Sequence, residues 1–221
     1  MADLDGQRVI FLVVQKAIFQ IQSQIVKTYG DFLRQKGFTE FQAPKLVGVD
    51  AEGGAEVFKV PYFKDKTAYL ASSPQFYKQI MVGVFERVFS FATAFRAEKS
   101  ANTRHLSEYT SLDMEMGFIT DHTDIMRMET ALMRHTVSEL SANCKRELEI
   151  LGVDLPVMPT GDIFPHMKLR EAQELIKKET GKDKTNEPDL EPEDERWLCE
   201  YAKANLNSDF VFITHYPVSK R

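Results

Sequence analysis

The sequence predicts a mixed α/β (α+β) chain, an antiparallel sheet flanked by helices, organised as one principal domain. Three observations carry that expectation. Two long strand-like runs, RVFSFATAFRAE and SEYTSLDMEMGF, follow each other across a polar loop, as hairpin partners do. Segments with apolar residues at three- and four-residue steps lie on both sides of them. Strands and helices do not alternate strictly, which argues against a doubly wound parallel sheet. With 221 residues, 43% hydrophobic and 28% charged, the chain has enough apolar material for a large core.

The elements follow in order. From about Gln15 to Lys36, Ile18, Phe19, Ile21, Ile25, Val26, Tyr29, Phe32 and Leu33 fall at helical spacing, and Gly37 is a natural stop. FTEFQ alternates as a strand that Ala43-Pro44 ends, since proline cannot donate to a ladder. EVFKVPYF and TAYLA read as two strands joined by the turn KDK. SPQFYKQIMVGVF starts like a helix, with Ser73 as N-cap and Pro74 at the first helical position. After the two long strands, Ile125, Met128, Leu132, Leu140, Cys144, Leu148 and Leu151 mark one long amphipathic helix. The proline-containing VDLPVMPTGDIFP ends it. MKLREAQELIKKET and PEDERWLCEYAKANL are further helices, the second opened by acidic residues that suit a helix N-terminus, and FVFITHYP is a last strand.

Period-two alternation sorts the two long strands by face. Phe89, Phe91 and Phe95 share a side with Leu112, Met114, Met116 and Phe118. Ser90, Ala92, Ala94, Arg96 and Glu98 share the other with Tyr109, Ser111, Asp113 and Glu115. Symmetric pairing sets Arg96 beside Tyr109 and Ala92 beside Asp113. One face of an antiparallel sheet is often merely solvated, but solvated faces favour long polar residues. Ser90, Ala92 and Ala94 instead suggest a shelf on which a flat ligand could lie. Lys99, Arg104 and His105 in the long hairpin loop join Arg96 at its end, a cationic group suited to phosphates.

Other classes lose support. The net charge of −5 argues against wholesale nucleic-acid binding while allowing a local basic patch. Cys144 and Cys199 are far apart, as free thiols of a reducing compartment are. The N-terminal MADLDGQRVIFLVV has acids where a signal peptide carries cations, and its apolar run is too short to cross a bilayer, so a cytoplasmic, non-membrane protein is expected. No GxGxxG follows a strand and no GxxxxGK[ST] occurs. His122, His135, His166 and His215 lack metal-ligand spacing, so no metal site is assigned.

FRAE followed by RHLSEYTSLDMEM resembles motif 2 of the class II aminoacyl-tRNA synthetases, in the wording of the eukaryotic and archaeal aspartyl type. KGFTEFQAPKL resembles motif 1, with Pro44 as its marker, and EGGAEVFKVPYF, SPQFYKQ and DFVFITHYP are also similar to the aspartyl family. The resemblance implies a class II synthetase-like antiparallel sheet flanked by helices. It makes residues 1–221 a partial catalytic domain with motifs 1 and 2, without motif 3 or the anticodon-binding domain. Expected partners are L-aspartate, ATP, tRNA(Asp) and a second copy in a homodimer, with Mg²⁺ held mostly by ligands in the absent C-terminal part. The isolated chain is therefore expected to have little or no activity.

Matching positions supply roles. Arg96 corresponds to the catalytic arginine that touches the α-phosphate and the substrate carboxylate. Glu98, Arg104, His105 and Leu106 fall in ATP-contacting segments, and Tyr109 in the place of an aromatic residue stacked on adenine. Glu52, Gln75 and Lys78 match residues that recognise the amino acid, and Asp113 resembles an acidic neighbour of its ammonium group. A lysine at 78 pairs with a side-chain carboxylate and would face asparagine without a charged partner, which favours aspartate. The alternatives are an asparaginyl-tRNA synthetase or asparagine-forming paralogue, and a non-catalytic synthetase-like binding module.

Overall fold

The computed structural model describes residues 4–49, 57–97 and 106–218, with side chains from Phe11 onward. The chain divides into two compact units, Val26–Ile119, and Met1–Ile25 with Thr120–Arg221.

The Val26–Ile119 unit takes up the C-terminal part of helix α1 (Leu4–Gln35). That helix starts well before the apolar spacing suggested. Gly37, at φ 80°, ends it, with its N–H donating to the Arg34 carbonyl. Strands β1 (Thr39–Glu40), β2 (Leu46–Val47), β3 (Lys59–Tyr62) and β4 (Lys66–Leu70) follow, then helix α2 (Gln75–Phe85) and the paired β5 (Arg87–Phe95) and β6 (Glu108–Met116). One sheet has the order β1-β5-β6 and another β2-β4-β3. The β5–β6 hairpin is antiparallel as predicted, but β1 runs parallel to β5. The KDK turn is present, with Lys64 and Asp65 both at positive φ.

The hairpin register differs from the symmetric expectation by two residues. Ala94 pairs with Tyr109, Ala92 with Ser111 and Ser90 with Asp113, and the Arg96 N–H donates to the Ser107 carbonyl. A shift of two leaves every side chain on its expected face, because the strand repeat is two. On the aromatic face, Phe89 is fully buried and meets the edge of Tyr29, whose hydroxyl donates to the Leu112 carbonyl at 2.8 Å. The opposite face departs from the open shelf: Ser90, Ala92 and Ala94 are at most 1% exposed. At its Val88 end, α2 supplies Met81 and Val82, which pack with Phe41 and Ala43.

In the other unit the predicted long helix is two: α3 (His122–Asn143), capped by Asp121 accepting from the Thr123 N–H, and α4 (Lys145–Leu151). Cys144 leaves helical geometry at the break, with φ −124° and ψ 23°. Strand β7 (His166–Lys168) leads directly into α5 (Leu169–Thr180), then come α6 (Pro192–Leu206) and β8 (Phe212–Thr214), with β7 and β8 parallel. Pro192 opens α6, and Glu193, Asp194 and Glu195 fill its first turn. The core joins Leu169, Ala172 and Ile176 of α5 to Leu190 and to Leu198 of α6, with Trp197 packed against it. Trp197 stacks on Tyr201.

Candidate active site

The hairpin supplies one face to the site and α2 lies over it. Alternation along β6 puts Tyr109, Asp113 and Glu115 on the same side, and the register sets them beside Ala94, Ser90 and Val88. Arg96, one residue past β5, continues that side, and its guanidinium carbon stands 5.8 Å from the Tyr109 ring centroid. That is cation–π range and fixes the direction of both groups.

Helix α2 brings Lys78 in from above. Its start lies one residue later than predicted: Pro74 occupies the N-cap position, and the Ser73 hydroxyl accepts from the Gln75 N–H at 3.1 Å. One turn on, Lys78 is only 8% exposed. Its Nζ donates to Asp113 Oδ1 at 2.9 Å and lies 3.6 Å from Glu115 Oε2. A lysine this buried requires such partners, because desolvating a charge without them is costly. Asp113 Oδ2 and Ser90 Oγ, on directly paired residues, are buried with no hydrogen-bond partner among the described residues.

Of the residues singled out from sequence, Lys78, Asp113, Arg96 and Tyr109 lie on or over this one face. Gln75 is half-buried at the start of α2, and Leu106 is 56% exposed before β6. Glu52, Glu98, Arg104 and His105 lie outside the described residues. Lys78 would not face asparagine without a charged partner, contrary to expectation, since two protein carboxylates already partner it.

Two further residues border the site. Glu115 was legible only as a member of the face; its contact with Lys78 depends on where α2 settles. Lys45 had no sequence signal beyond its place beside Pro44. Its carbonyl accepts from the Ala71 N–H at 2.9 Å, and the Ala71 carbonyl accepts from the Phe95 N–H at 3.0 Å. These bonds tie the β2–β4 pair to the end of β5, next to Arg96. Burial pushes the Lys45 ammonium below its ordinary pKa, while the Asp113 carboxylate pulls it back up.

The arrangement offers separated charges of both signs beside an aromatic ring. That suits positioning and charge stabilisation of a small zwitterion and a phosphate ester.

Known proteins share the sequence and the fold. The chain is 44% identical over 207 residues to an "Aspartate--tRNA(Asp/Asn) ligase" of Deinococcus radiodurans, covering 94% of this chain and 47% of the relative. It is 36% identical over 208 residues to the human "Aspartate--tRNA ligase, cytoplasmic", covering 93% and 41%. The structure superposes on an asparaginyl-tRNA synthetase from Pyrococcus horikoshii with a TM-score of 0.80 at 31% identity, over 94% of this chain and 46% of that one. An aspartyl-tRNA synthetase from Entamoeba histolytica gives 0.79 at 28%, over 94% and 39%. The chain thus spans about half the length of the curated relatives it matches. Residues 10–221 match the family described as tRNA synthetases class II (D, K and N), and the chain belongs to that family.

Proposed function

We propose that the protein is an aspartate–tRNA ligase, activating L-aspartate with ATP and transferring it to tRNA(Asp), with residues 1–221 forming part of its catalytic domain. The observation that carries this reading is the buried Lys78–Asp113 pair, on the hairpin face that also bears Arg96 and Tyr109. The relatives named as aspartate–tRNA ligases support it.

Activation is an in-line attack of the amino-acid carboxylate on the α-phosphorus, so two anions must meet. On this reading Arg96 contacts both, lowering their repulsion and stabilising the charge that develops. Tyr109 offers its ring to the adenine, while Glu98, Arg104, His105 and Leu106 contribute to holding ATP. Glu52, Gln75 and Lys78 recognise aspartate, Lys78 through the side-chain carboxylate. Asp113 Oδ2, buried without a partner among the described residues, is an acceptor that the substrate ammonium would satisfy. No protein nucleophile is consumed. Mg²⁺ would supply charge neutralisation at the phosphates; among the described residues no group of three His, Cys, Asp or Glu could hold it.

A homodimer is proposed through α1, which exposes Phe11, Leu12 and Phe19 at 61, 65 and 64%. A cytoplasmic location goes with this reading. Among the described residues no helix is long and apolar enough to cross a membrane.

Aspartate-dependent exchange of pyrophosphate into ATP by the full-length protein tests the activity. Exchange is expected with aspartate, and Arg96→Ala should lower it by about a hundredfold or more while the fold persists. No exchange with aspartate, or equal exchange with asparagine, would remove this reading. A ligase that also loads tRNA(Asn) with aspartate is the second reading, favoured by the printed name of the Deinococcus relative. Aspartylation of both tRNAs distinguishes the two.

A further inference from the structure

Within that function, we propose that Lys45 is a specificity-determining residue: a second cation, beside Lys78, that admits the side-chain carboxylate of aspartate. Lys78 is matched by two carboxylates, Asp113 at 2.9 Å and Glu115 at 3.6 Å, so these three groups together carry one negative charge. A pocket of that sign attracts an ammonium group but repels a carboxylate, and aspartate brings both. Lys45 restores neutrality.

Its placement fits the task. The bonds through Ala71 set the Lys45 backbone two strands from Phe95, beside the arginine assigned to the phosphate and the α-carboxylate. The side chain is half-buried and makes no hydrogen bond or ion pair among the described residues. It still feels the Asp113 carboxylate. A partly desolvated ammonium without a partner is costly unless an anion completes it. Asparagine has no such anion, so Lys45 should separate the two amino acids where Lys78, already partnered, does so less. Glu115 then acts as a positioning residue, retaining Lys78 while Asp113 Oδ2 receives the substrate ammonium.

The test compares Lys45→Met and Lys45→Arg with the natural full-length protein, measuring aspartate-dependent pyrophosphate exchange and its inhibition by L-asparagine. Lys45→Met should raise KM for aspartate roughly tenfold or more, as for loss of one charge-assisted hydrogen bond. It should leave kcat within about twofold, because the interaction is made equally in ground and transition states. Inhibition by asparagine should be unchanged or stronger, and Lys45→Arg should keep KM within about threefold. An unchanged aspartate KM in Lys45→Met, or equal weakening toward both amino acids, would overturn the proposal. Absence of aspartate-dependent exchange in the natural protein would overturn the functional reading beneath it, and is distinguished by needing no variant.

Discussion

Lys78 illustrates how much a single side chain depends on its neighbours. At 8% exposure its charge is tolerable only because Asp113 and Glu115 meet it. Asp113→Asn keeps the shape and removes the charge. It leaves Lys78 to Glu115, and should destabilise the protein by about 1–3 kcal/mol in urea unfolding. The same change should abolish aspartate-dependent exchange, since the ammonium loses its anionic partner. Unaltered stability would mean that the pair contributes nothing to the fold. The choice of residue types was visible in SPQFYKQ and SLDMEM, but the partnership was not. A lysine thirty-five positions before its carboxylate meets it only once a helix lies on a hairpin.

Among the elements, a carboxylate in the turn between α6 and β8 ties that turn to the segment before β7. Asn207 ends α6 in left-handed geometry, and two residues on Asp209 accepts from the Val157 N–H at 2.6 Å and pairs with Lys203 at 2.9 Å. The Val157 hydrogen bond first, then Lys203, hold its carboxyl below the ordinary 3.8. A carboxyl lowered in the folded state stabilises fully above its ordinary value. That contribution is lost as pH falls through the lowered folded value. Asp209→Asn should therefore cost about 1 kcal/mol at neutral pH, and the gap between variant and natural protein should close in acid. A gap constant from neutral pH to below that value would contradict the assignment. Element types were largely legible from periodicity, whereas their limits were not. The helix expected to reach Leu151 breaks at Cys144, and α1 begins before its apolar stripe does. The hairpin slipped by two residues for a related reason: alternation specifies the face of each side chain, and shifts of two preserve it.

At the scale of the molecule, the apolar residues exposed along α1 carry the dimer proposal. Sedimentation velocity of the full-length protein should show a dimer, and charged replacements at Phe11 and Phe19 should shift it toward monomer by about tenfold or more in dissociation constant. A monomer at all concentrations would remove the proposal. The local chemistry of this protein was determined by sequence alone: strand alternation put Arg96, Tyr109, Asp113 and Glu115 on one face, and motif wording pointed to the synthetase family. Those features depend on short-range geometry, which a repeat of two or 3.6 residues encodes. Tertiary structure decided which charges meet. It buried the expected shelf at Ser90, Ala92 and Ala94, closed Lys78 onto two carboxylates, and left Lys45, which feels the Asp113 carboxylate, with no hydrogen bond or ion pair among the described residues. Burial and charge pairing arise between segments distant in sequence, and their strength depends on a desolvation that no local pattern encodes.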